Sequence, residues 1–218
     1  MSREKYTIGA IFYKDYDLLD VNGSLRMLLS LRDDIKVITI SQTGENVKSY
    51  SDDITNVINY SFDNCPDFDI LFIPGGLGTF AELENQTFMN FIKKHVPKVK
   101  FVLTVCSGSA ILAKTGLLDG KRATSNKLFW DNMISQGPNV NWVKKARWVV
   151  DGKFYTSSGV SAGMDMALGF ISDRYGKEEA ERVALFSEYT WHDDPNWDPF
   201  SEKTFPEGVT LDSIYKKS

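Results

Sequence analysis

The sequence predicts an α/β protein in which a mostly parallel sheet is covered by helices on both faces and carries a nucleophile elbow. Three observations carry that prediction. Short apolar runs rich in β-branched residues recur along the 218 residues, the pattern of strands buried on both sides. Helix-like stretches separate them, the alternation that builds parallel sheets. Finally, Phe101-Val-Leu-Thr-Val-Cys106-Ser-Gly-Ser-Ala-Ile-Leu-Ala-Lys114 reads as a buried strand, a sharp corner and a helix, with Cys106 where the two meet. A residue at such a corner is pushed out beyond the carboxyl end of the sheet, where folds of this class bind ligands.

Taken in order, Thr7–Tyr13 is a first buried strand, and a loop over Lys14–Leu19 leads through Asp20-Val-Asn-Gly-Ser24 to a helix over Leu25–Leu31. Lys36–Ile40 is a second strand, and Gly44–Tyr60 holds short alternating segments that suit a small ribbon. Phe68–Ile73 is a third strand, ended by Pro74-Gly-Gly-Leu-Gly78. A helix around Phe88–His95 stops before Pro97. After the Cys106 elbow come a short strand over Lys121–Thr124 and a short helix over Leu128–Ile134. Ala146–Val150 and Lys153–Ser157 flank Asp151-Gly152, a strong hairpin signal. Two helices close the fold, Ser161–Tyr175 with Ser161 as its cap, and Lys177–Glu188 with Glu178, Glu179, Glu181 and Arg182 on its wet side. No linker divides the chain, so 1–218 is expected to form a single domain, with an aromatic tail over 190–218 wrapping the surface or a partner.

Bulk properties exclude several classes of function. Hydrophobic residues make up 42% and charged ones 25%, an ordinary globular balance able to bury a sizeable core. A net charge of -4 argues against a non-specific nucleic-acid binder, which needs a basic face. No apolar run is long enough to span a bilayer, and Met1–Ala10 has no export signal, so the expected place is the cytoplasm. Two distant cysteines make no disulfide framework, and two Cys with two His at these spacings give no zinc motif.

Candidate chemistry gathers at three strand ends. Free cysteines are mostly inert packing, but the corner around Cys106 favours a nucleophile, and the N–H groups and dipole of a helix start favour its thiolate. Gly75 and Gly76 let the backbone turn sharply and aim N–H groups at developing charge, although the same pair suits a plain tight turn. Pro74-Gly-Gly-Leu-Gly78 lacks the Lys-Ser/Thr of a phosphate loop. Asp20 lies among Leu18, Leu19 and Val21, where an acid is costly unless paired or protonated; alternatively Asp20 or Asn22 caps the next helix. Asp15 and Asp17 read as solvated. The usual partner of a Cys nucleophile is His, but His95 precedes the Cys106 strand, roughly 20 Å away at about 3.3 Å per residue, and reads as a surface residue at the other edge of the sheet. His192 lies in the tail, and nothing in the sequence places it. Cys65 precedes a strand at the wrong end and reads as packing.

Together, Leu19-Asp20-Val-Asn-Gly23, Asp69-Ile-Leu-Phe-Ile-Pro-Gly-Gly76, Val105-Cys-Ser-Gly-Ser109, Gly116-Leu-Leu-Asp-Gly-Lys-Arg-Ala-Thr124 and Ser158-Gly-Val-Ser-Ala-Gly-Met-Asp165 resemble the ThiJ/PfpI superfamily, relatives of the class I glutamine amidotransferases. The resemblance implies a flavodoxin-like three-layer sandwich, usually a homodimer. Within the superfamily the chain is most similar to the isocyanide hydratase branch, which has Asp where many relatives carry Glu (here Asp20) and a small hydroxyl residue after the nucleophile (here Ser107). The intracellular proteases of the superfamily place His there, which argues against peptidase activity. Two departures stand out. Ala123-Thr-Ser-Asn126 has Asn where the branch carries His, and an amide cannot shuttle a proton near neutral pH. The tail from Glu188 to Phe200 matches only loosely.

What the resemblance implies is a lyase of the hydratase kind, without metal or organic cofactor, acting on a small molecule. Cys106 would be the nucleophile and Asp20 the proton carrier, with Gly75, Gly76 and Ser107 against the substrate. Two further readings stay open: a cofactor-free glyoxalase acting on methylglyoxal, and a non-catalytic redox sensor or stress-response holdase in which Cys106 is oxidised.

Overall fold

A seven-stranded sheet forms the centre of the computed structural model, which describes residues 3–50 and 54–203. The chain runs β1 (Tyr6–Ile11), α1 (Leu18–Leu28, continuing into a 3₁₀ turn Leu29–Leu31), β2 (Ile35–Ser41), β3 (Val47–Lys48), β4 (Thr55–Asn56) and β5 (Tyr60–Ser61). Next come β6 (Ile70–Ile73), α2 (Thr79–Glu82), α3 (Gln86–His95), β7 (Phe101–Thr104), α4 (Gly108–Lys114), β8 (Arg122–Ala123) and α5 (Trp130–Ile134). It ends with β9 (Asn141–Trp142), β10 (Trp148–Asp151), β11 (Phe154–Ser157), α6 (Ala162–Tyr175) and α7 (Lys177–Phe186). Of the tail expected over 190–218, the part beyond Lys203 lies outside the described residues.

Strand order is β10-β11-β7-β6-β1-β2-β5, and every pair is parallel except the β10–β11 hairpin at one edge. Ile8, Ala10, Ile70, Leu71, Phe72, Ile73, Val102 and Leu103 are all fully buried, as continuous apolar runs should be when helices cover both faces. Helix α6 packs against both α1 and α7, and α2, α3, α4 and α5 form a second group, so the molecule is the three-layer flavodoxin-like sandwich expected. Gly44–Tyr60 contains the predicted ribbon, the antiparallel pair β3–β4. Among the described residues no helix is long and apolar enough to cross a membrane.

One boundary matters for the site. Helix α1 begins at Leu18, seven residues before the predicted Leu25, and so takes Asp20 into its first turn. Asn22-Gly23 does not interrupt the helix. Instead Gly23 marks a close helix crossing: a Cβ there would lie 3.0 Å from Leu19 Cδ1 and 3.1 Å from Met164 Cγ on α6.

The elements that carry chemistry end together. Ile73 of β6 pairs with Thr104 of β7, and Thr104 with Thr156 of β11. The chain goes from β1 to one side for β2 and to the other for β6, so a topological switch opens beside the carboxyl end of β1. Helix α4 starts hard against the end of β6, because a Cβ on Gly108 would lie 2.4 Å from the Ile73 carbonyl oxygen and 2.7 Å from that of Pro74. Gly108→Ala gains about 1 kcal/mol of helix propensity but forces this contact apart, at about 1–3 kcal/mol or more. Urea denaturation should therefore show a net loss of stability; a variant as stable as wild type would refute the close approach.

Candidate active site

Cys106 sits between β7 and α4 with φ 58°, in the left-handed region that non-glycine residues rarely occupy. Such a conformation costs about 1–3 kcal/mol and persists only where its surroundings enforce it. Here the Cys106 N–H donates to the Ser158 carbonyl at 3.1 Å, and the Cys106 carbonyl accepts from Ser125 Oγ at 3.1 Å and Ser109 Oγ at 3.2 Å. Three segments thus hold the corner that the sequence marked as an elbow.

Asp20 reaches the same place from α1. Its cap is Asp17, whose Oδ1 accepts from the N–H groups of Leu19 at 2.9 Å and Asp20 at 3.1 Å. Asp17 is therefore a helix cap, not the merely solvated acid expected, and the Asp20 carboxyl is left for other use. Asp20 is fully buried, and its Oδ2 accepts from the Gly75 N–H at 2.8 Å. Its Oδ1 has no conventional hydrogen-bond partner, and the Cys106 side chain is close enough to hydrogen-bond to the carboxyl. The glycine turn makes this approach possible. A Cβ on Gly75 would meet Ser107 N at 2.6 Å and Asp20 Oδ2 at 2.8 Å, and one on Gly76 would meet Asp17 N at 2.4 Å.

The sulfur is shielded from water. Cys106 is 7% exposed, and its Sγ accepts from Asn126 Nδ2 at 3.0 Å and from the Val160 N–H. The Asn126 amide is oriented by its other end, where Oδ1 accepts from the Phe129 N–H at 3.0 Å. Burial pushes the Cys106 thiol far above its usual range, Asp20 and Asp17 push it further, and the two N–H donors only partly offset this. The expected acidification by the helix start is overridden, since a dry pocket with an acid beside it outweighs the dipole of the seven-residue α4. Burial likewise raises Asp20 well above the carboxylate range, with Asp17 adding to it and the Gly75 N–H and Cys106 opposing.

Beside the sulfur lies a cavity of about 90 Å³, with Leu77, Phe80, Leu128, Phe129, Met133 and Val160 as its apolar walls and Gly76, Ser107 and Asn126 as its polar edge. Ser107 Oγ accepts from the Gly76 N–H at 3.1 Å and lies 2.8 Å from Thr79 Oγ1. The Gly75 and Gly76 N–H groups are thus both bonded within the protein, and Gly75, expected against the substrate, does not line the cavity because its N–H is turned to Asp20. The Ser107 N–H has no acceptor among the described residues. No group of three or more His, Cys, Asp or Glu side chains among the described residues could hold a metal ion.

Residues 10–173 match the model of the DJ-1/PfpI family. The chain belongs to the DJ-1/PfpI family. This DJ-1/PfpI chain is 31% identical over 219 residues to the isonitrile hydratase of Pseudomonas putida, covering 97% of this chain and 89% of that one. Among solved structures, a ThiJ/PfpI family protein from Pseudomonas syringae aligns with a TM-score of 0.78 and 30% identity over 90% of this chain and 79% of that one. Drosophila melanogaster DJ-1beta aligns with a TM-score of 0.73 and 25% identity over 88% of this chain and all 100% of its own.

Several residues of this DJ-1/PfpI chain sit differently from expectation. His95 is at the amino-terminal end of the sheet, far from the elbow as reasoned, yet it is buried between Phe68 and Phe91 and not on the surface. His192 lies outside the Cys106 cavity, its ring 4.8 Å from that of Trp197. Ser161 precedes α6 without capping it, because its hydroxyl accepts from Arg147 at 3.1 Å. Val160, in the left-handed region at φ 41°, was not anticipated at the sulfur, and nothing in its residue type signals that role. Asn126 was visible only as an unusual residue.

The Cys106–Asp20 coupling has two measurable consequences. Asp20→Asn removes the charge that holds the thiol up, so the pH midpoint of iodoacetamide alkylation should fall, and coincident curves would show that the pair is uncoupled. The folded state also raises the Asp20 pKa above its ordinary value of 3.8. Its favourable contribution is complete below that ordinary value and is lost as pH rises towards the raised one. The thermal midpoint of Asp20→Asn relative to wild type should therefore climb as pH rises above about 4.

Proposed function

We propose that the protein is a cofactor-free, cysteine-dependent hydratase that adds water to a small isocyanide and releases the N-substituted formamide. The observation that carries this reading is the pairing of Cys106 with the fully buried carboxyl of Asp20 beside an apolar cavity of about 90 Å³. That volume suits a small, weakly polar electrophile and leaves no room for a peptide. The likeness to the Pseudomonas putida isonitrile hydratase supports the same substrate class.

In this mechanism the Cys106 sulfur attacks the terminal carbon of the isocyanide. Asp20 delivers its carboxyl proton to that carbon and takes up the S–H proton in exchange, leaving a thioimidate. Asp20 then protonates the nitrogen and, as the carboxylate so formed, accepts a proton from the water that adds to the same carbon. The tetrahedral adduct collapses, the C–S bond breaks, and the hydroxyl proton returns to sulfur by way of Asp20. One water is consumed and no electrons are transferred, so no redox partner is required. Asn126 Nδ2 and the Val160 N–H support charge on sulfur whenever it is the leaving group. The Ser107 N–H is the backbone donor left for charge on the substrate, while Gly75 and Gly76 shape the turn that admits it.

A glyoxalase acting on methylglyoxal would need a mobile base to carry a proton between two carbons. His192 lies against Trp197 outside the cavity and supplies no second base, and the likeness to the Pseudomonas putida protein favours hydration. Both cysteines are free thiols, in keeping with a reducing cytoplasm. The homodimer belongs to the same proposal, with Leu185 at 78% and Phe186 at 68% exposure offering apolar surface for association.

Wild type should convert an alkyl isocyanide to its formamide, followed by proton NMR, and leave methylglyoxal unchanged. Cys106→Ala should lose on the order of 10³-fold or more in rate, and Asp20→Asn roughly 10²–10⁴-fold. Formamide production surviving in Cys106→Ala, or lactate as the product, would sink the proposal.

A further inference from the structure

Two buried ion pairs that the hydratase mechanism does not use flank the sulfur. Lys127 follows Asn126, and its ammonium donates to Thr124 Oγ1 at 2.7 Å, the Ser125 carbonyl at 2.9 Å and the Ala146 carbonyl at 3.3 Å. Those bonds engage all three of its hydrogens. Asp198 Oδ2, 3.5 Å away and without a hydrogen bond, therefore acts on Lys127 through its charge. The two side chains are 3% and 0% exposed. The second pair is Arg147–Asp165, with Nε 2.8 Å from Oδ2 and side chains 5% and 0% exposed. Arg147 also donates to Ser161 Oγ at 3.1 Å, and Ser161 follows Val160.

Both pairs lead to the same piece of chain. Asp198 belongs to the segment after α7, which has neither helix nor strand among its described residues. Asp165 Oδ1 accepts from Tyr189 Oη at 2.9 Å and the His192 N–H at 3.1 Å, and the Arg147 N–H donates to the Pro195 carbonyl at 2.7 Å. One segment, 189–198, thus meets the Asn126 loop directly, through Asp198 and Lys127, and reaches the Val160 loop by way of Arg147, which donates to Ser161. A buried ion pair adds little stability over an apolar pair of the same size, so stability alone does not account for placing two of them here.

We infer that the Lys127–Asp198 pair is a positioning device, holding the 124–127 loop so that the Asn126 amide stays on the Cys106 sulfur, and that the C-terminal segment thereby sets the reactivity of the thiol from outside the cavity. The inference rests on Cys106 as the reacting group but not on the identity of the substrate. Lys127 and Asp198 are positioning residues, since neither lines the cavity. The charged groups concerned are Asp20 and Asp17 facing Cys106, and Asp198, Lys144 and Arg147 facing Lys127.

Iodoacetamide alkylation of Cys106 as a function of pH tests this in the full-length protein, and it reads the thiol whether or not isocyanides are hydrated. Lys127→Met with Asp198→Leu removes both charges and leaves neither unpaired. Its alkylation rate near neutral pH should fall about tenfold, the effect of one charge-assisted hydrogen bond, and its pH midpoint should rise. Asn126→Ala should show the same loss, and combining all three changes should add nothing further. An unchanged profile, or losses that add in full, would overturn the inference. If the double variant does not fold, Asp198→Asn decides by sign. Losing a negative charge alone lowers the midpoint, which would refute positioning, whereas releasing Asn126 from the sulfur raises it.

Discussion

A thiol and a carboxyl share one dry pocket, where burial makes the charge of either costly. Asp20 is fully buried, Cys106 nearly so, and burial raises both. Water that would stabilise an anion is replaced by a few fixed donors: the Gly75 N–H for the acid, and Asn126 and Val160 for the sulfur. Burial thus favours the protonated form of each group. The proposed hydration, which adds a nucleophile and a proton to the same small electrophile, draws on that bias.

Geometry of this closeness falls mainly to backbone without side chains. Gly75 lets Asp20 and Ser107 approach the turn after β6, Gly76 lets the loop before α1 approach it, and Gly108 seats α4 on the end of β6. With those contacts made, Cys106 is confined to a left-handed conformation that its own side chain disfavours. Hydroxyls of Ser109 and Ser125 on the Cys106 carbonyl hold it there. The small residues around the elbow thus serve precise approach, and the bulky ones line the cavity.

Much of this could be read from residue order. The apolar runs at Thr7, Lys36, Phe68 and Phe101 each became strands of the main sheet within a residue or two, because burial on both faces leaves an unmistakable local pattern. Asp151-Gly152 made its hairpin. The start of α1 was misjudged because Gly23 serves a contact with Met164 of α6, 141 residues away in the chain, which no local pattern records. His95 was misplaced in burial for a similar reason: Phe68 and Phe91 stack on it only after the sheet forms.

By itself, the sequence determined the layering of the fold, the elbow at Cys106 and the set of strand ends where an acid, a glycine turn and a cysteine would meet. These follow from local preference and hydrophobic period, which each short stretch carries within itself. Only the tertiary structure decided the burial that biases the ionisation of the pair, the donors on the sulfur and the reach of the C-terminal segment towards the loops behind it. Burial, and the direction in which Asn126, Val160 and Asp198 point, depend on which distant segments come together, and that is a property of the packed chain and not of any stretch within it.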